Sequence, residues 1–402
     1  MSADDPIRAL DADHVMQTYA RLPVTFVRGE GTVLWDADGK RYLDFLSGLA
    51  VTSLGHAHPA IADALAAQAR TLLHVSNLYY NDRQPSLAAR VDALVGGGGR
   101  VFFANSGAEA NECAIKLARR HGQRHGGAAR HHVVSAFGSF HGRTLATLAA
   151  TGQPQKQETF QPLPSGFRHV LFGDLDALAA ALDDRVCAVL LEALQGEGGV
   201  VAAQPGYLEG VRVLCDEREA LLVLDEVQTG LGRTGRWFGF QHSGVRPDIV
   251  TMAKALGNGV PIGACWARAE VARSFDPGDH ASTFGGQPLA AAAAHAVLDV
   301  METLDVPAMA ARAGERFARA LRALPAVVDV RGAGLLLAAQ LVDGIDAKTV
   351  ASSCLERGLV VNAVTATAIR FAPSLLVSDQ ELDEAVELFA LVLGSVAAEV
   401  ST

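Results

Sequence analysis

Leu221-Leu222-Val223-Leu224-Asp225-Glu226 and, further on, Pro247-Asp248-Ile249-Val250-Thr251-Met252-Ala253-Lys254 are two apolar runs that each end in charge. Runs this short and this continuously apolar read as strands buried on both faces, the habit of a parallel sheet. The second stops at Ala255-Leu256-Gly257-Asn258-Gly259, a glycine-broken turn, so Lys254 sits where a buried strand ends. Loss of water there disfavours the ammonium form and leaves an amine able to condense with an aldehyde. Asp225 is a buried acid at the end of the neighbouring strand. Each residue alone has an ordinary explanation, a lysine that snorkels to the surface or an aspartate that caps the next turn.

Taken together, the amine and the acid suggest a cofactor with both an aldehyde and a basic ring nitrogen, which describes pyridoxal 5'-phosphate. The wider pattern Leu224-Asp225-Glu226-Val227-Gln228-Thr229-Gly230-Leu231-Gly232-Arg233-Thr234-Gly235, with Ala253-Lys254-Ala255-Leu256-Gly257, resembles the class III aminotransferases. That resemblance extends from Tyr19-Ala20-Arg21-Leu22-Pro23 to the final helix and leaves no room for an appended module. It implies an α/β chain of fold type I, with a large domain built on a mainly parallel sheet covered by helices and a smaller α+β domain.

The rest of the chain reads the same way. Helical patterns at Ile61 to Leu73 and Pro85 to Leu94 alternate with short apolar runs at Arg100 to Phe103, His132 to Ser135 and Val186 to Leu191. Alternation of this kind argues a parallel sheet with helices on both faces. Turns at Gly29-Glu30-Gly31 and Asp38-Gly39 mark a small antiparallel ribbon between Val27 and Asp44. After Pro288 come an alanine-rich helix, Leu289 to Thr303, strands near Val327 to Val330 and Leu335 to Leu341, and a last helix from Asp379. The expected division is residues 1–58, contributing to the small domain; 59–288, the large cofactor-binding domain; and 289–402, the small domain proper.

Half the 402 residues are hydrophobic and 19% are charged, which fits a large core and excludes a disordered chain. A net charge of -10 argues against nucleic acid or an anionic membrane as the main partner. The N-terminus is acidic with no apolar leader segment, and the five cysteines are scattered and odd in number, so a cytoplasmic, disulfide-free protein is expected. His121, His125, His131 and His132 lack any spacing that enforces metal ligation, and no metal is expected.

A phosphate needs backbone N–H groups aimed at it, best from a helix N-terminus. Asn105-Ser106-Gly107-Ala108 leaves a strand and enters a helix, making Ser106 with the amides of Gly107 and Ala108 the candidate cradle; a plain Ser106 N-cap has the same pattern. Gly230-Leu231-Gly232-Arg233-Thr234-Gly235 matches a dinucleotide fingerprint but feeds no helix directly, and no acid follows at the required spacing, so it is a decoy.

The family resemblance assigns further roles. It implies that Phe140 stacks on the pyridine ring, Arg143 binds a substrate carboxylate, Val227 packs on the ring face and Gln228 bonds its phenolic oxygen. It pairs Glu197 with Arg370 as a switch that hides an arginine from a basic substrate and frees it for glutamate, where a fixed salt bridge is the simpler alternative. Ser282 is expected among the substrate contacts. Thr283 resembles the residue that reaches the phosphate of a neighbouring subunit, implying a homodimer. Two departures stand out: Ala193 where the family has proline, and Asn258 where it often has glycine.

Arg21-Leu22-Pro23, Gly48-Leu49-Ala50-Val51, Leu54-Gly55-His56-Ala57-His58-Pro59 and Ser76-Asn77-Leu78-Tyr79 are similar to class III members acting on N2-acetylornithine. That implies transfer of its δ-amino group to 2-oxoglutarate, in arginine biosynthesis. Ornithine, succinylornithine, succinyldiaminopimelate or 4-aminobutyrate as the amine, and a silent cofactor-binding regulator, are the alternatives.

Overall fold

The computed structural model describes residues 5–400. Its centre is a seven-stranded sheet in the order Gly99–Ala104, Gly263–Arg268, Ile249–Met252, Leu221–Asp225, Val186–Leu191, His132–Ala136, Phe167–Val170. Gly263–Arg268 runs antiparallel to both of its neighbours, and the other strands are parallel.

Side chains along the central strands alternate between two cores, as the two-residue repeat of a strand requires. Leu222, Leu224, Val250 and Met252 pack on the side of helix Pro288–Leu304, with Ala291, Val297 and Leu298. Leu221, Val223 and Ile249 pack on the other side against Cys113, Ala114 and Leu117 of helix Gly107–Gly126. Each fully buried leucine contributes roughly 1.5–3 kcal/mol relative to an exposed one. Both faces are thereby covered, which explains why the strands read as unbroken apolar runs.

The antiparallel strand Gly263–Arg268 and the edge strand Phe167–Val170 carry no clear sequence signal. The first is rich in small residues of low strand propensity; it is held by pairing on both sides and by its buried Trp266.

The C-terminal part is a four-stranded antiparallel sheet, Val327–Ala333, Leu336–Leu341, Ala368–Phe371 and Asn362–Thr365 in spatial order, with helices Val306–Arg322, Ala347–Glu356 and Asp379–Val400. The N-terminal ribbon Phe26–Glu30, Val33–Asp36 and Arg41–Asp44 is completed by a parallel partner, Leu359–Val360, so the two ends of the chain share a sheet.

The glycine-rich decoy is a structural joint. Gly232 and Gly235 take φ of 89° and 88°, which glycine adopts freely. Arg233 between them is buried and donates to Leu335 O, Pro373 O and Ser53 Oγ at 3.0, 2.6 and 3.1 Å, tying three distant segments together.

Candidate active site

The carboxyl ends of the parallel strands open into a cleft of about 480 Å³. Crevices beyond these strand ends are where open α/β sheets bind ligands. Ser106, Gly107, Ala108, Phe140, Arg143, Glu197, Asp225, Val227, Gln228 and Lys254 all line it, so the fold gathers residues spread over much of the sequence.

Lys254 follows buried strand Ile249–Met252 and takes a φ of 40°, a left-handed conformation that costs a non-glycine residue energy and is typical of functional turns. Burial, with the Arg370 charge nearby, pulls its amine down to about 8. Asn258, with φ of 47°, closes the turn that follows; asparagine tolerates that conformation almost as glycine does. Its side chain accepts from Leu54 N at 2.7 Å and donates to Gly55 O at 3.0 Å, contacts that a glycine would forgo. Ala193, the other departure, packs near Gly239 and borders a separate cavity of about 280 Å³.

Strand Leu221–Asp225 ends in two acids that point apart. Glu226 turns away from the cleft and accepts from Thr229 Oγ1, Gly239 N and Phe240 N; burial pushes it up to about 7. Asp225 faces the cleft. Asn111 Nδ2 and His141 Nδ1 both donate to its Oδ2, at 2.7 and 2.8 Å, and Val227 N donates to Oδ1 at 3.0 Å. Thr251 Oγ1 donates to Asn111 Oδ1 at 2.7 Å, which fixes the amide the right way round. Asn111, His141 and Thr251 were not marked as site residues by sequence reasoning. A usable signal existed for Asn111: a polar side chain on the apolar stripe of helix Gly107–Gly126, one turn from Gly107.

Ser106 caps that helix, its Oγ accepting from Glu109 N at 3.2 Å. The first amides of a helix have no partner within it, so those of Gly107 and Ala108 are available to an anion. A Cβ on Gly107 would stand 2.6 Å from Val227 Cγ1, so glycine is what lets the helix start approach the strand-end loop.

Phe140 N donates to Glu192 Oε2 at 3.2 Å. Glu192 is 7% exposed, and burial with Asp225 close by pushes its carboxyl well above the usual range. Arg143 is exposed; its guanidinium lies 5.7 Å from the Phe140 ring centre, and it forms no ion pair among the described residues. Arg370, on strand Ala368–Phe371, is 1% exposed and donates through Nη1 to Glu197 Oε1 at 2.6 Å, while its Nε donates to Asn362. Its Nη2 is buried without a hydrogen-bond partner among the described residues. Burial works to raise Glu197, but the Arg370 charge and hydrogen bond outweigh it and the carboxyl ends below its ordinary value.

Ser282 and Thr283 do not line this cleft. They border a different depression beside Ser76 and Asn77, and Ser282 is linked to the site through Asn105, whose Nδ2 donates to its Oγ at 3.2 Å.

The donor set fits pyridoxal phosphate. A helix N-terminus could hold the phosphate, Asp225 the ring nitrogen and Lys254 the aldehyde carbon, and the buried Gln228 Oε1 has no partner among the described residues.

Comparison with known proteins agrees with this geometry. Residues 15–393 match the family model for class-III aminotransferases. The chain is 48% identical over 387 residues to the acetylornithine aminotransferase of Caldanaerobacter subterraneus subsp. tengcongensis, covering 95% of this chain and 98% of that one. It is 50% identical over 380 residues to the acetylornithine aminotransferase of Gloeobacter violaceus, covering 93% and 94%. Among solved structures, an ornithine aminotransferase from Toxoplasma gondii superposes with a TM-score of 0.95 at 34% identity, covering 100% of this chain and 97% of that one. The chain belongs to the class-III aminotransferases.

Proposed function

We propose that this protein moves the δ-amino group of N2-acetylornithine to 2-oxoglutarate, giving N-acetylglutamate 5-semialdehyde and glutamate, a step of arginine biosynthesis. Near-full-length similarity to acetylornithine aminotransferases supports the substrate. The observation that carries the reading is a pair of arginines in different states among the described residues: Arg143 in no ion pair at the cleft, and Arg370 masked by Glu197 with its Nη2 unpartnered.

When bound, pyridoxal phosphate supplies an aldehyde for the amino group and a ring that accepts the electrons released at the substrate carbon. Lys254 Nζ, whose amine burial lowers to about 8, takes the proton from the carbon bearing the amine. Asp225, kept an acceptor by the donors Asn111, His141 and Val227, holds a proton at the ring nitrogen. Phe140 and Val227 would hold the ring between them, and Gln228 would bond its phenolic oxygen. Ser106, Gly107 and Ala108 would hold the phosphate.

Arg143 binds the carboxylate of acetylornithine while Glu197 neutralises Arg370. With glutamate, Glu197 withdraws, and Arg370 takes the α-carboxylate while Arg143 takes the other. A fixed salt bridge would leave glutamate without that partner.

A homodimer belongs to the same reading. Leu78, Tyr79, Tyr80 and Phe284 are 85, 68, 100 and 66% exposed, an apolar surface next to Ser282 and Thr283 that a second copy would cover. Thr283 would then reach the partner's phosphate. All five cysteines are free and buried, in keeping with the reducing cytoplasm.

The test is a panel of amines with 2-oxoglutarate: N2-acetylornithine, succinylornithine, ornithine, succinyldiaminopimelate and 4-aminobutyrate. The highest kcat/KM is expected for acetylornithine. A preference for free ornithine or 4-aminobutyrate would reject the substrate, and no turnover with any amine would favour a silent binder.

A further inference from the structure

We propose that Lys156 is the second seat of Glu197, receiving its carboxylate when Arg370 is given over to the dicarboxylate substrate. The inference rests on the switch described above and names a residue that the switch needs.

Lys156 lies in the short helix Pro154–Gln157. It is partly buried, and its Nζ stands 5.1 Å from the centre of the Phe140 ring, the ring that Arg143 also approaches. Among the described residues the Lys156 side chain forms no hydrogen bond and no ion pair, so the aromatic face is its one marked contact. A half-buried ammonium held only by a ring is poorly compensated. Its charge reaches the cleft: burial and Arg143 both lower its amine, Glu197 pushes it back up, and Lys156 in turn helps lower Glu197.

In the glutamate half of the cycle Arg370 holds the α-carboxylate and Arg143 the other carboxylate. Lys254 is occupied with the reacting carbon. Glu197 has a side chain only 29% exposed, so on leaving Arg370 it would be a poorly hydrated anion unless it met another cation. Of the cations whose charge is seen to act on Glu197, namely Arg370, Lys254 and Lys156, Lys156 is the one that holds neither substrate nor reacting carbon. Its pairing would offset the cost of breaking the 2.6 Å bond to Arg370 and would act in one half-reaction only.

The test uses the holoenzyme and glutarate, a dicarboxylate with no amine to transfer. In Lys156→Met the Kd for glutarate is expected to rise about tenfold, which is ~1.4 kcal/mol, a modest coupling for a partly desolvated charge pair. Lys156→Arg should restore most of that binding. In single turnovers the kcat/KM of Lys156→Met should fall more for glutamate than for acetylornithine. A crystal structure of the wild-type protein with glutarate should place the Glu197 carboxylate within hydrogen-bond distance of Lys156 Nζ. An unchanged Kd in Lys156→Met, or Glu197 turned to Arg143 or to solvent in that structure, overturns the proposal. Arg370→Ala separates the second seat from the switch itself. If it weakens glutarate binding while Lys156→Met does not, only the second seat is lost; if neither variant does, the switch fails with it.

Discussion

Replacing Arg370 by alanine should divide the catalytic cycle in two. The guanidinium is 1% exposed and bonds Glu197 at 2.6 Å, with Nη2 unpaired. Two unit charges about 4 Å apart interact by roughly 4 kcal/mol at the effective dielectric of a protein surface. Truncating one partner of a buried, hydrogen-bonded charge pair costs about 2–5 kcal/mol. A glutamate α-carboxylate that takes both N–H groups of Arg370 stands to lose a similar amount, ~3–4 kcal/mol, or roughly a 10²–10³-fold drop in kcat/KM for that half-reaction. Acetylornithine has no group at Arg370 while Glu197 covers it, so its half-reaction should fall by less than about tenfold. The assay is rapid mixing of each amino donor with the holoenzyme, following the cofactor absorbance through one turnover. Equal slowing with both donors would refute the reasoning and make the Arg370–Glu197 pair a structural salt bridge.

Borohydride reduction and peptide mapping should place the pyridoxyl label on Lys254, and Lys254→Ala should bind the cofactor without a covalent bond; a label on another lysine removes the assignment. Asp225→Asn should retain cofactor yet lose about 10³-fold in turnover, ~4 kcal/mol, and activity within a few-fold of wild type would reduce Asp225 to a turn cap. Capture of the cofactor by the apoprotein needs the neutral amine. Because the Lys254 amine is lowered from 10.5 to about 8, the capture rate should rise with pH through that value and level off above it; a rate still climbing near 10.5 would show an unperturbed amine. Sedimentation should give a dimer, and Thr283→Ala should weaken cofactor retention without dissociating it; a monomer with full activity would contradict a shared site.

Much of this site could be read in advance because its chemistry sits at strand ends. Lys254 and Asp225 each close an apolar run, and a charge in that position announces itself. Ser106 and Gly107 were legible for the same reason, as the junction of a strand with a helix. Asn111, His141 and Thr251 were not, because Asp225, the target of Asn111 and His141, and Asn111 itself, the target of Thr251, are brought to them only by tertiary packing. Nothing local in Gln155-Lys156-Gln157 marks Lys156, whose relation to Phe140 is tertiary. Gly263–Arg268 escaped because pairing on both sides, rather than its own composition, makes it a strand. The glycine-rich segment 230–235 shows the opposite failure, in which a familiar spacing serves to join Ser53, Leu335 and Pro373 through Arg233.

Asn258 has a consequence for how the two ends of the chain depend on one another. Its amide clasps Leu54 and Gly55, while the adjoining Ser53 accepts from Arg233 and from Leu375 N. The segment around Leu54 and Gly55 thus works as a brace on the turn that carries Lys254. A shortened protein lacking that segment would keep the sheet, the helix start and Lys254 itself, yet the lysine would stand on an unsupported hinge. Cofactor capture should therefore deteriorate on truncation well before the large sheet loses cohesion.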